Sequence, residues 1–434
     1  AAGLHATLPF EPPVNKALAL LCLVGALWLT EVPHLAVTAL LVPVAALALG
    51  FEGLTTTQAF APFADPIIFL FFGGFALATA LRVQQLDRKM AVALLALSRG
   101  HLGATVLLLF AATNLLSLGI SNTATAAIML PLALGLLRAL GDAPGERRTR
   151  VFVMLGVAYT ASLGGIGTLV GSPPNAIAAR AAGIDFAGWL RIGLPLMLVL
   201  VPLMWALLWL LLRPTLHRRV RIEMQAVPWN GPRRLTLLVF ALTALGWVFG
   251  GAPLRAIGIQ SPDSVVAVLA AIAVVGLGLA SWDQVRQHTD WGVLLLFGGG
   301  LALGDVLGRS GASLVLGQQL AHVLQGAAPW LVLAAIAAFM VLLSEFASNT
   351  AAAALLVPVF AAVAAQMGLP ADTLVVLVAL AASCGFALPV ATPPNAIVYG
   401  TGHVAQRQMI RAGLALDVLC VLLLTLWGLL TLRG

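Results

Sequence analysis

The sequence contains very little charge. Only 9% of its 434 residues are Asp, Glu, Lys or Arg, whereas 61% are hydrophobic, and the mean hydropathy is +1.03. A soluble globular domain has about 25% charged residues, so that class is excluded. The apolar runs do not alternate with polar residues, as the strands of an outer-membrane barrel do. The composition therefore predicts an all-α polytopic membrane protein.

Thiols, metal-binding motifs and nucleotide-binding motifs are also scarce. Cys22, Cys384 and Cys420 lie in apolar stretches without a Cys-x-x-Cys pair, and the seven histidines form no His-Glu-x-x-His motif. These absences argue against a disulfide framework and a zinc site. The sequence has no P-loop, and no Ser/His/Asp set recurs with its repeated motifs. We therefore predict a protein that is not an enzyme.

What charge there is lies mainly between the apolar runs. The net charge is +7, and residues 213–234 contain six arginines and one glutamate. Basic residues accumulate in cytoplasmic loops, so this stretch is predicted to be a cytoplasmic linker. The basic stretches 82–99 and 138–150 are assigned to the same side. The corresponding stretches of the second half, 309–328 and 366–372, contain one arginine between them and are assigned to the outside.

Two motifs occur once in each half of the chain. Ser-Asn-Thr occurs in ISNTATAAIMLP at 120–131 and in ASNTAAAALLVP at 347–358. Pro-Pro-Asn-Ala-Ile follows at 173–177 and 393–397, and FGG runs occur near residues 72 and 297. The offsets between copies are 220 (393 − 173) and 227 (349 − 122). This pattern indicates an internal duplication.

The two copies are predicted to have opposite orientations in the membrane. Five apolar spans separate the two triplet segments, and five is an odd number, which agrees with the opposite charge of their flanks. Inverted repeats with broken helices are typical of secondary transporters. The predicted repeats comprise residues 1–212 and 235–434. The hairpins are placed at 102–140 and 329–366, and the broken helices at 151–182 and 373–400.

The repeated motifs offer neutral oxygen atoms rather than ionisable groups. No Asp, Glu, Lys or Arg occurs in 102–137, 151–179 or 373–406. A proton relay within a membrane needs such groups. Hydroxyls, amides and the carbonyls freed at Gly and Pro breaks instead suit a hard monovalent cation such as Na⁺. Glu345 is the exception near the second triplet, and we interpret it as a structural hydrogen-bonding residue.

Each triplet is also expected to begin a helix. Ser and Asn are favourable residues at a helix N-terminus, where free N–H groups attract anions. Two such termini, one from each repeat, would face a small dianion from opposite sides. The Pro-Pro-Asn motifs are expected to interrupt a second pair of helices and to free carbonyls near Gly171 and Ala391.

The paired triplets and Pro-Pro-Asn-Ala-Ile breaks resemble the divalent anion:sodium symporter family of dicarboxylate and citrate carriers, over nearly the whole chain. This resemblance implies a homodimer, in which each protomer has a scaffold domain and a transport domain that moves as an elevator. It also implies two re-entrant hairpins and a usual total of eleven helices. Because the charge pattern places residue 1 outside, a helix upstream of the given sequence is expected.

The family's site residues transfer onto matching positions of this sequence. The resemblance implies a first Na⁺ site at Ser117, Ser121, Asn122 and the Gly171 carbonyl. It implies a second Na⁺ site with the following members: Ser344, Ser348, Asn349 and the Ala391 carbonyl. Substrate carboxylates are expected at a third group of residues: Asn122, Thr123, Asn349, Thr350, Thr392 and Pro393. Ser172 departs from the Thr that is frequent in the family but keeps a hydroxyl.

The predicted function is sodium-coupled symport of C4 dicarboxylates such as succinate, fumarate or malate, in the inner membrane of a bacterium. Na⁺ is the predicted co-transported ion, with at least two sites, and the predicted partners are the dicarboxylate, the lipid bilayer and a second copy of the chain. The alternatives are a sodium-independent dicarboxylate exchanger, a sulfate or citrate carrier, and a pump subunit or oxyanion exporter with a similar repeat plan.

Overall fold

The protein is helical wherever its structure is described. The computed structural model describes residues 8–140, 146–220, 227–323 and 326–432, and within these ranges the only β-type pairing is an isolated bridge between His101 and Arg219. Nine helical stretches within these ranges are long and apolar enough to span a membrane. The prediction of an all-α polytopic membrane protein is thereby confirmed. The predicted linker 213–234 lies partly outside the described residues, at 221–226.

The helices of the first half, in chain order, are α1 (Pro12–Thr30), α2 (Leu35–Ala48), α3 (Thr56–Phe60), α4 (Pro66–Val83), α5 (Leu86–Ala96), α6 (Leu102–Ser117), α7 (Asn122–Leu140), α8 (Arg147–Gly164), α9 (Pro173–Ala182) and α10 (Phe186–Leu212). The helices of the second half are α11 (Gly231–Phe249), α12 (Gly251–Ala256), α13 (Pro262–Gly276), α14 (Trp282–His288), α15 (Trp291–Arg309), α16 (Ala312–Val323), α17 (Pro329–Ser344), α18 (Asn349–Met367), α19 (Ala371–Ala382), α20 (Pro393–Tyr399) and α21 (Gln406–Thr431).

Both triplets begin helices, as the sequence predicts. Helix α6 ends at Ser117, four residues form a turn, and α7 begins at Asn122. In the second half α17 ends at Ser344, and α18 begins at Asn349. The Ser121 hydroxyl accepts from the Ala124 N–H at 3.4 Å, whereas Ser348 makes no side-chain cap. The two segments therefore share one plan, with a weak hydroxyl cap in the first copy alone.

Both Pro-Pro-Asn motifs begin the second part of an interrupted helix. After α8, a 3₁₀ turn over Gly165–Gly167 and a non-helical stretch lead to α9, which begins at Pro173. In the second half α19 ends at Ala382, and α20 begins only at Pro393. Proline suits the first turn of a helix, where its missing N–H costs nothing, and the residue before it is extended in both copies.

The two interrupted helices cross at the centre of the molecule. Helix α9 packs against α19, and α20 packs against α8 and α7. Helix α8 is almost completely buried, from Val151 to Leu163. This crossing brings the break of one repeat beside that of the other, and the Ser172 and Ser383 hydroxyls lie 3.4 Å apart. The two repeats therefore meet at their breaks.

A second group of helices surrounds this centre. Helix α4 packs extensively against α13, and α15 packs against α2. The glycines of the two FGG runs allow these close approaches. A Cβ atom on Gly73 would lie 2.3 Å from the Ala267 carbonyl oxygen, and one on Gly299 would lie 2.6 Å from the Ala39 Cα. The FGG motif therefore serves helix packing in both copies.

Candidate functional site

The first triplet is connected to the first break through Ser117. This side chain is fully buried, and its hydroxyl donates to the Ala161 carbonyl, at 2.5 Å, within α8. The side-chain amide of Asn122 lies beside the same Ala161 carbonyl. With Nδ2 facing inward, it donates to the Ala161 carbonyl at 2.9 Å and to the Gly171 carbonyl at 3.3 Å, and it lies 3.0 Å from Ser117 Oγ. One amide thus lies against three oxygen atoms that come from two segments of the chain.

Two glycines make this approach possible. A Cβ atom on Gly165 would lie 2.3 Å from the inward-facing end of the Asn122 side-chain amide and 2.8 Å from the Gly171 carbonyl oxygen. A Cβ atom on Gly171 would lie 2.6 Å from the Gly165 oxygen and 2.9 Å from the Ser117 carbonyl oxygen. These distances are shorter than any van der Waals contact, so a side chain at either position would separate the oxygen atoms. We refer to Ser117, Ala161, Asn122, Gly165 and Gly171 as the first oxygen cluster.

The second repeat contains a corresponding group, the second oxygen cluster, formed by Ser344, Asn349, Ala382 and Gly385. The buried Ser344 hydroxyl lies 2.6 Å from the Ala382 carbonyl oxygen and 2.6 Å from Asn349 Oδ1. A Cβ atom on Gly385 would lie 3.0 Å from the Ser344 carbonyl oxygen. The triplet again joins the last turn of the preceding hairpin helix to the end of an interrupted helix.

The third residue of each Pro-Pro-Asn motif holds its break in shape. The Asn175 amide donates to the Thr168 carbonyl at 2.7 Å and to the Gly165 carbonyl at 2.8 Å. The Asn395 amide donates to the Leu388 carbonyl at 3.0 Å. Both side chains are completely buried. The sequence analysis assigned no role to these two side chains. The signal that could have identified them is their recurrence at the same position of a repeated motif.

A single cavity joins the two triplets and the two breaks. Its volume is about 1010 Å³, and both oxygen clusters border it. All six residues predicted to contact substrate line this cavity: Asn122, Thr123, Asn349, Thr350, Thr392 and Pro393. Ser121, Ser348, Gly171 and Ala391 line it as well. Of the residues predicted to bind sodium, Ser117 and Ser344 lie behind this wall, buried and hydrogen-bonded to carbonyls.

The charged residues of the cavity lie away from the triplets in sequence. Glu31 and His34 come from the connection between α1 and α2, Arg82 from the end of α4, and His288 and Asp290 from the residues before α15. The triplets and breaks contribute only hydroxyls, amides, backbone groups and apolar side chains. The part of the cavity wall that the triplets and breaks form is therefore uncharged, and helices α7 and α18 begin at this part of the wall.

Glu345 organises the second break. Its carboxylate accepts hydrogen bonds from the backbone N–H groups of Phe386, Ala387 and Leu388, at 2.5, 2.8 and 2.8 Å respectively. The side chain is only 4% exposed. Three unpaired N–H groups at this depth would be costly. The predicted structural hydrogen-bonding role of Glu345 is thereby confirmed.

Nearly the whole chain is similar to known transporters. Residues 11–432 match the family described as the sodium:sulfate symporter transmembrane region. An uncharacterized transporter of Haemophilus influenzae is 49% identical over 97% of this chain and 92% of its own length. The sodium-dependent dicarboxylate transporter SdcS of Staphylococcus saprophyticus is 31% identical over 92% of this chain and 82% of its own length.

The fold is also found in a solved structure. The YdaH transporter of Alcanivorax borkumensis, whose crystal structure was described as having an unusual topology, superposes with a TM-score of 0.61 at 16% identity. The match covers 92% of this chain and 98% of that one. The length of the family match, the paired motifs and these similarities together identify the family of this chain. The chain is a multi-pass membrane protein and belongs to the sodium:sulfate symporter family, a family of sodium-coupled transporters of divalent anions.

Proposed function

We propose that the protein is a sodium-coupled symporter of C4 dicarboxylates such as succinate, fumarate or malate. The observation that carries this proposal is the pair of oxygen clusters on either side of one cavity whose triplets and breaks contain no charged side chain. Neutral oxygen atoms attract a hard monovalent cation without holding it as tightly as a carboxylate would. Beside the triplets and breaks, a dianion then meets a full positive charge only where a cation has been bound.

Each oxygen cluster supplies a plausible cation cage. In the first cluster the Asn122 amide would turn Oδ1 toward the ion, which would then meet the Gly171 carbonyl and the Ser117 and Ser121 oxygens. In the second, Asn349 already directs Oδ1 toward Ser344, and Ser348 and the Ala391 carbonyl would complete the group. Carbonyl, hydroxyl and amide oxygens are the ligands of sodium sites in broken-helix transporters.

The dicarboxylate would bind between the two triplets. Helices α7 and α18 begin at Asn122 and Asn349, and a helix N-terminus presents free N–H groups with a partial charge of about +0.5. Thr123, Thr350 and Thr392 add hydroxyl donors at the cavity wall. One carboxylate would meet each triplet, so a dianion with a carboxylate at both ends fits this arrangement better than a monocarboxylate does.

The two triplet segments are proposed to be re-entrant hairpins. Helices α6 and α17 have 16 residues each, which at about 1.5 Å per residue gives about 24 Å, less than the roughly 30 Å of hydrocarbon. The turns that follow them lie at the central cavity rather than at the far ends of long helices. A hairpin whose tip lies near the middle of the membrane agrees with both observations.

Transport is proposed to follow an elevator mechanism. The moving domain would comprise α6–α10 and α17–α21, and the scaffold would comprise α1–α4 and α11–α15. In this conformation the cavity extends toward Arg82 and His288, the side that the basic residues assign to the cytoplasm. Sodium would bind first, the dianion would follow, and the moving domain would carry them across together.

Localisation and assembly are also proposals. The inner membrane of a bacterium suits a multi-pass helical carrier of this kind. The scaffold helices α11 and α13 present large apolar residues outward, among them Leu242, Phe249 and Ile272, which are 58%, 69% and 61% exposed. A second copy would cover part of this surface, and light scattering of the purified protein in detergent would test the expected homodimer.

Uptake of radiolabelled succinate into proteoliposomes tests the proposed function. We expect uptake with an inward Na⁺ gradient and none when K⁺ replaces Na⁺. Asn122→Ala and Asn349→Ala should each abolish this uptake, because each removes an amide from one oxygen cluster. Asp305→Asn, on the exposed end of α15, is a control that should leave uptake unchanged.

The other outcomes distinguish the alternatives. Uptake that ignores Na⁺ but requires a dicarboxylate inside the vesicles would identify an exchanger and overturn both cation assignments. Sodium-dependent uptake of sulfate or citrate without succinate uptake would retain the oxygen clusters and change the cargo.

A further inference from the structure

The moving domain and the scaffold are joined by an ion pair at the end of α4 that lies opposite Arg82. Arg180, in the last turn of α9, places Nε 2.8 Å from Asp65 Oδ2. The other oxygen of Asp65 accepts from the Ile67 N–H at 3.0 Å and so caps α4. Asp65 is 10% exposed, whereas Arg180 is 54% exposed. Each oxygen of this carboxylate therefore has its own partner, one within the scaffold and one on the moving domain.

A second set of contacts lies near the start of α10. Asp185 Oδ2 is 3.2 Å from Arg255 Nη2 of the scaffold. The Phe186 N–H donates to Asp263 Oδ2 at 2.7 Å, and the Phe186 ring stacks on Trp247 with a centroid separation of 4.7 Å. These contacts also cross from the moving domain to the scaffold. They lie in the connections 183–185 and 250–263, which the predicted topology assigns to the outside.

The second repeat contains a counterpart of Asp65, but it has no charged counterpart of Arg180 or Asp185. Asp290 is the counterpart of Asp65 (65 + 225), and it caps α15 through the Val293 N–H at 3.1 Å. From the Pro-Pro-Asn motif onward the two repeats align without a gap at an offset of 220. Gly400 then stands in the position of Arg180, and Ala405 stands in that of Asp185. The moving-domain partners of these ion pairs, Arg180 and Asp185, therefore occur in the first repeat only.

This difference matters for the proposed elevator movement. When the moving domain crosses, inverted repeats exchange their environments, so that α20 would approach Asp290 as α9 now approaches Asp65. Without Arg and Asp at positions 400 and 405, the opposite conformation would gain no matching ion pair. A contact present in only one of two conformations shifts the equilibrium toward that conformation.

We propose that Asp65–Arg180 and the neighbouring Asp185–Arg255 contact form a one-sided latch, which favours the conformation with the cavity open toward Arg82 and His288. The proposal rests on the elevator movement proposed above. It implies that the resting carrier is biased toward this conformation, and that the bias depends on Arg180 and Asp185, which have no charged counterparts in the second repeat. It also implies that an arginine at position 400 would create the missing counterpart.

Distance measurements between spin labels test the latch. Nitroxide labels at Asp283 on the scaffold and Gln406 on the moving domain, both exposed, would report the separation at the Arg82 side in a Cys22→Ser background. Arg180→Ala and Asp65→Asn should each reduce the population of the described conformation about two- to fivefold, as an exposed ion pair allows. Asn retains the cap of α4, so Asp65→Asn removes only the charge.

Gly400→Arg should favour the opposite conformation, because it supplies the arginine that the second repeat lacks. Gly400 is exposed, and a Cβ atom there would come no closer than 3.2 Å to a neighbouring carbonyl, so the backbone tolerates a side chain. We expect this variant to raise the opposite population by a similar factor, and we expect Gly400→Arg with Asp290→Asn to reverse that gain. Double electron–electron resonance in lipid nanodiscs, with and without Na⁺ and succinate, provides the readout.

The results separate the latch from the elevator. Two distances whose proportions respond to Na⁺ but ignore both Arg180→Ala and Gly400→Arg would overturn the latch and leave the proposed transport intact. A single unchanging distance under every ligand condition would overturn the elevator itself. A gain in Gly400→Arg that persists with Asp290→Asn would show that the arginine acts without the proposed partner, and would also overturn the latch.

Discussion

The two oxygen clusters have the same plan but different supports. At the first break a 3₁₀ turn follows α8, the Thr168 hydroxyl donates to the Leu118 carbonyl at 2.5 Å, and it accepts from the Gly171 N–H at 3.1 Å. At the second break the position equivalent to Leu118 (118 + 227) is Glu345, whose carboxylate accepts three backbone N–H groups. A neutral hydroxyl on one side thus corresponds to a buried carboxylate on the other.

This difference shows which part of the arrangement is constrained. In both copies a Ser at the end of a hairpin helix meets a carbonyl at the end of an interrupted helix, and an Asn begins the next helix. Asn175 and Asn395 support their breaks in the same way, whereas the other supporting groups differ. The second break adds one carboxylate, that of Glu345, whereas the first adds a 3₁₀ turn and the Thr168 hydroxyl. We therefore expect that a single substitution can disrupt the geometry of the second cluster more completely than that of the first.

The largest effect is expected from Glu345→Gln. The amide keeps one acceptor oxygen but turns an NH₂ group toward backbone N–H donors, so at least one buried N–H loses its partner at a cost of about 3 kcal/mol. Succinate uptake should fall more than about tenfold, and the stabilisation of the protein by Na⁺ should weaken in thermal unfolding. Asp305→Asn is again the exposed control. Unchanged uptake would show that the second break does not depend on this carboxylate.

The next effect compares two glycines at equivalent positions. Gly165→Ala places a Cβ atom 2.3 Å from the Asn122 side-chain amide, whereas Gly385→Ala places one 3.0 Å from the Ser344 carbonyl oxygen. The first overlap cannot be relieved without moving the amide, so Gly165→Ala should lower the maximal Na⁺-dependent uptake about tenfold. Gly385→Ala should raise the Na⁺ concentration for half-maximal uptake by only about three- to tenfold, or about 1 kcal/mol. Equal losses would contradict this ranking.

A smaller effect is expected from removal of the buried hydroxyls. Ser117→Ala and Ser344→Ala each remove one hydrogen bond to a carbonyl, worth about 1 kcal/mol, and one proposed sodium ligand. Each should raise the half-maximal Na⁺ concentration about five- to tenfold while the maximal rate changes little. Flux measured over a range of Na⁺ concentrations checks this, and an equal effect with saturating Na⁺ would argue for a folding defect instead.

The smallest effect is expected from Thr168→Val, which keeps the shape of the side chain but loses its hydroxyl. The Leu118 carbonyl and the Gly171 N–H would each lose a partner, at a cost of about 1–2 kcal/mol that the remaining bonds of Asn175 partly offset. A modest rise in the half-maximal Na⁺ concentration should follow, and Thr168→Ser should restore the original value. Failure of Ser to rescue would locate the effect in packing rather than in the hydroxyl.

Much of the architecture could be predicted from the sequence because its signals are repeated. The low charge identified the class, and the two copies of Ser-Asn-Thr and Pro-Pro-Asn located the helix starts at Asn122, Asn349, Pro173 and Pro393. The predicted site residues from both halves border one cavity or lie directly behind its wall.

Other features depend on how the repeats fold onto each other and had no signal in either copy alone. The crossing of α8 and α19 with the opposite breaks is a tertiary arrangement, as is the position of Glu345 beneath three N–H groups. The role of Asn175 required the backbone of the break to be seen, since an asparagine after two prolines is equally compatible with a loop. The ion pair between Asp65 and Arg180 joins residues 115 positions apart with no shared motif.

The oxygen clusters include main-chain carbonyls, such as those of Ala161, Gly171 and Ala382. This limits how the site can change during evolution. A substitution at such a position cannot delete the carbonyl, because every amino acid has one. It can only alter where the carbonyl points, as the tight surroundings of Gly165 and Gly171 illustrate. Substitutions therefore change the geometry of this part of the site gradually, and they do not remove its oxygen atoms. In the proposed sodium sites, the preference for one alkali cation over another would drift through small changes of cage size, while the ability to bind a cation would persist.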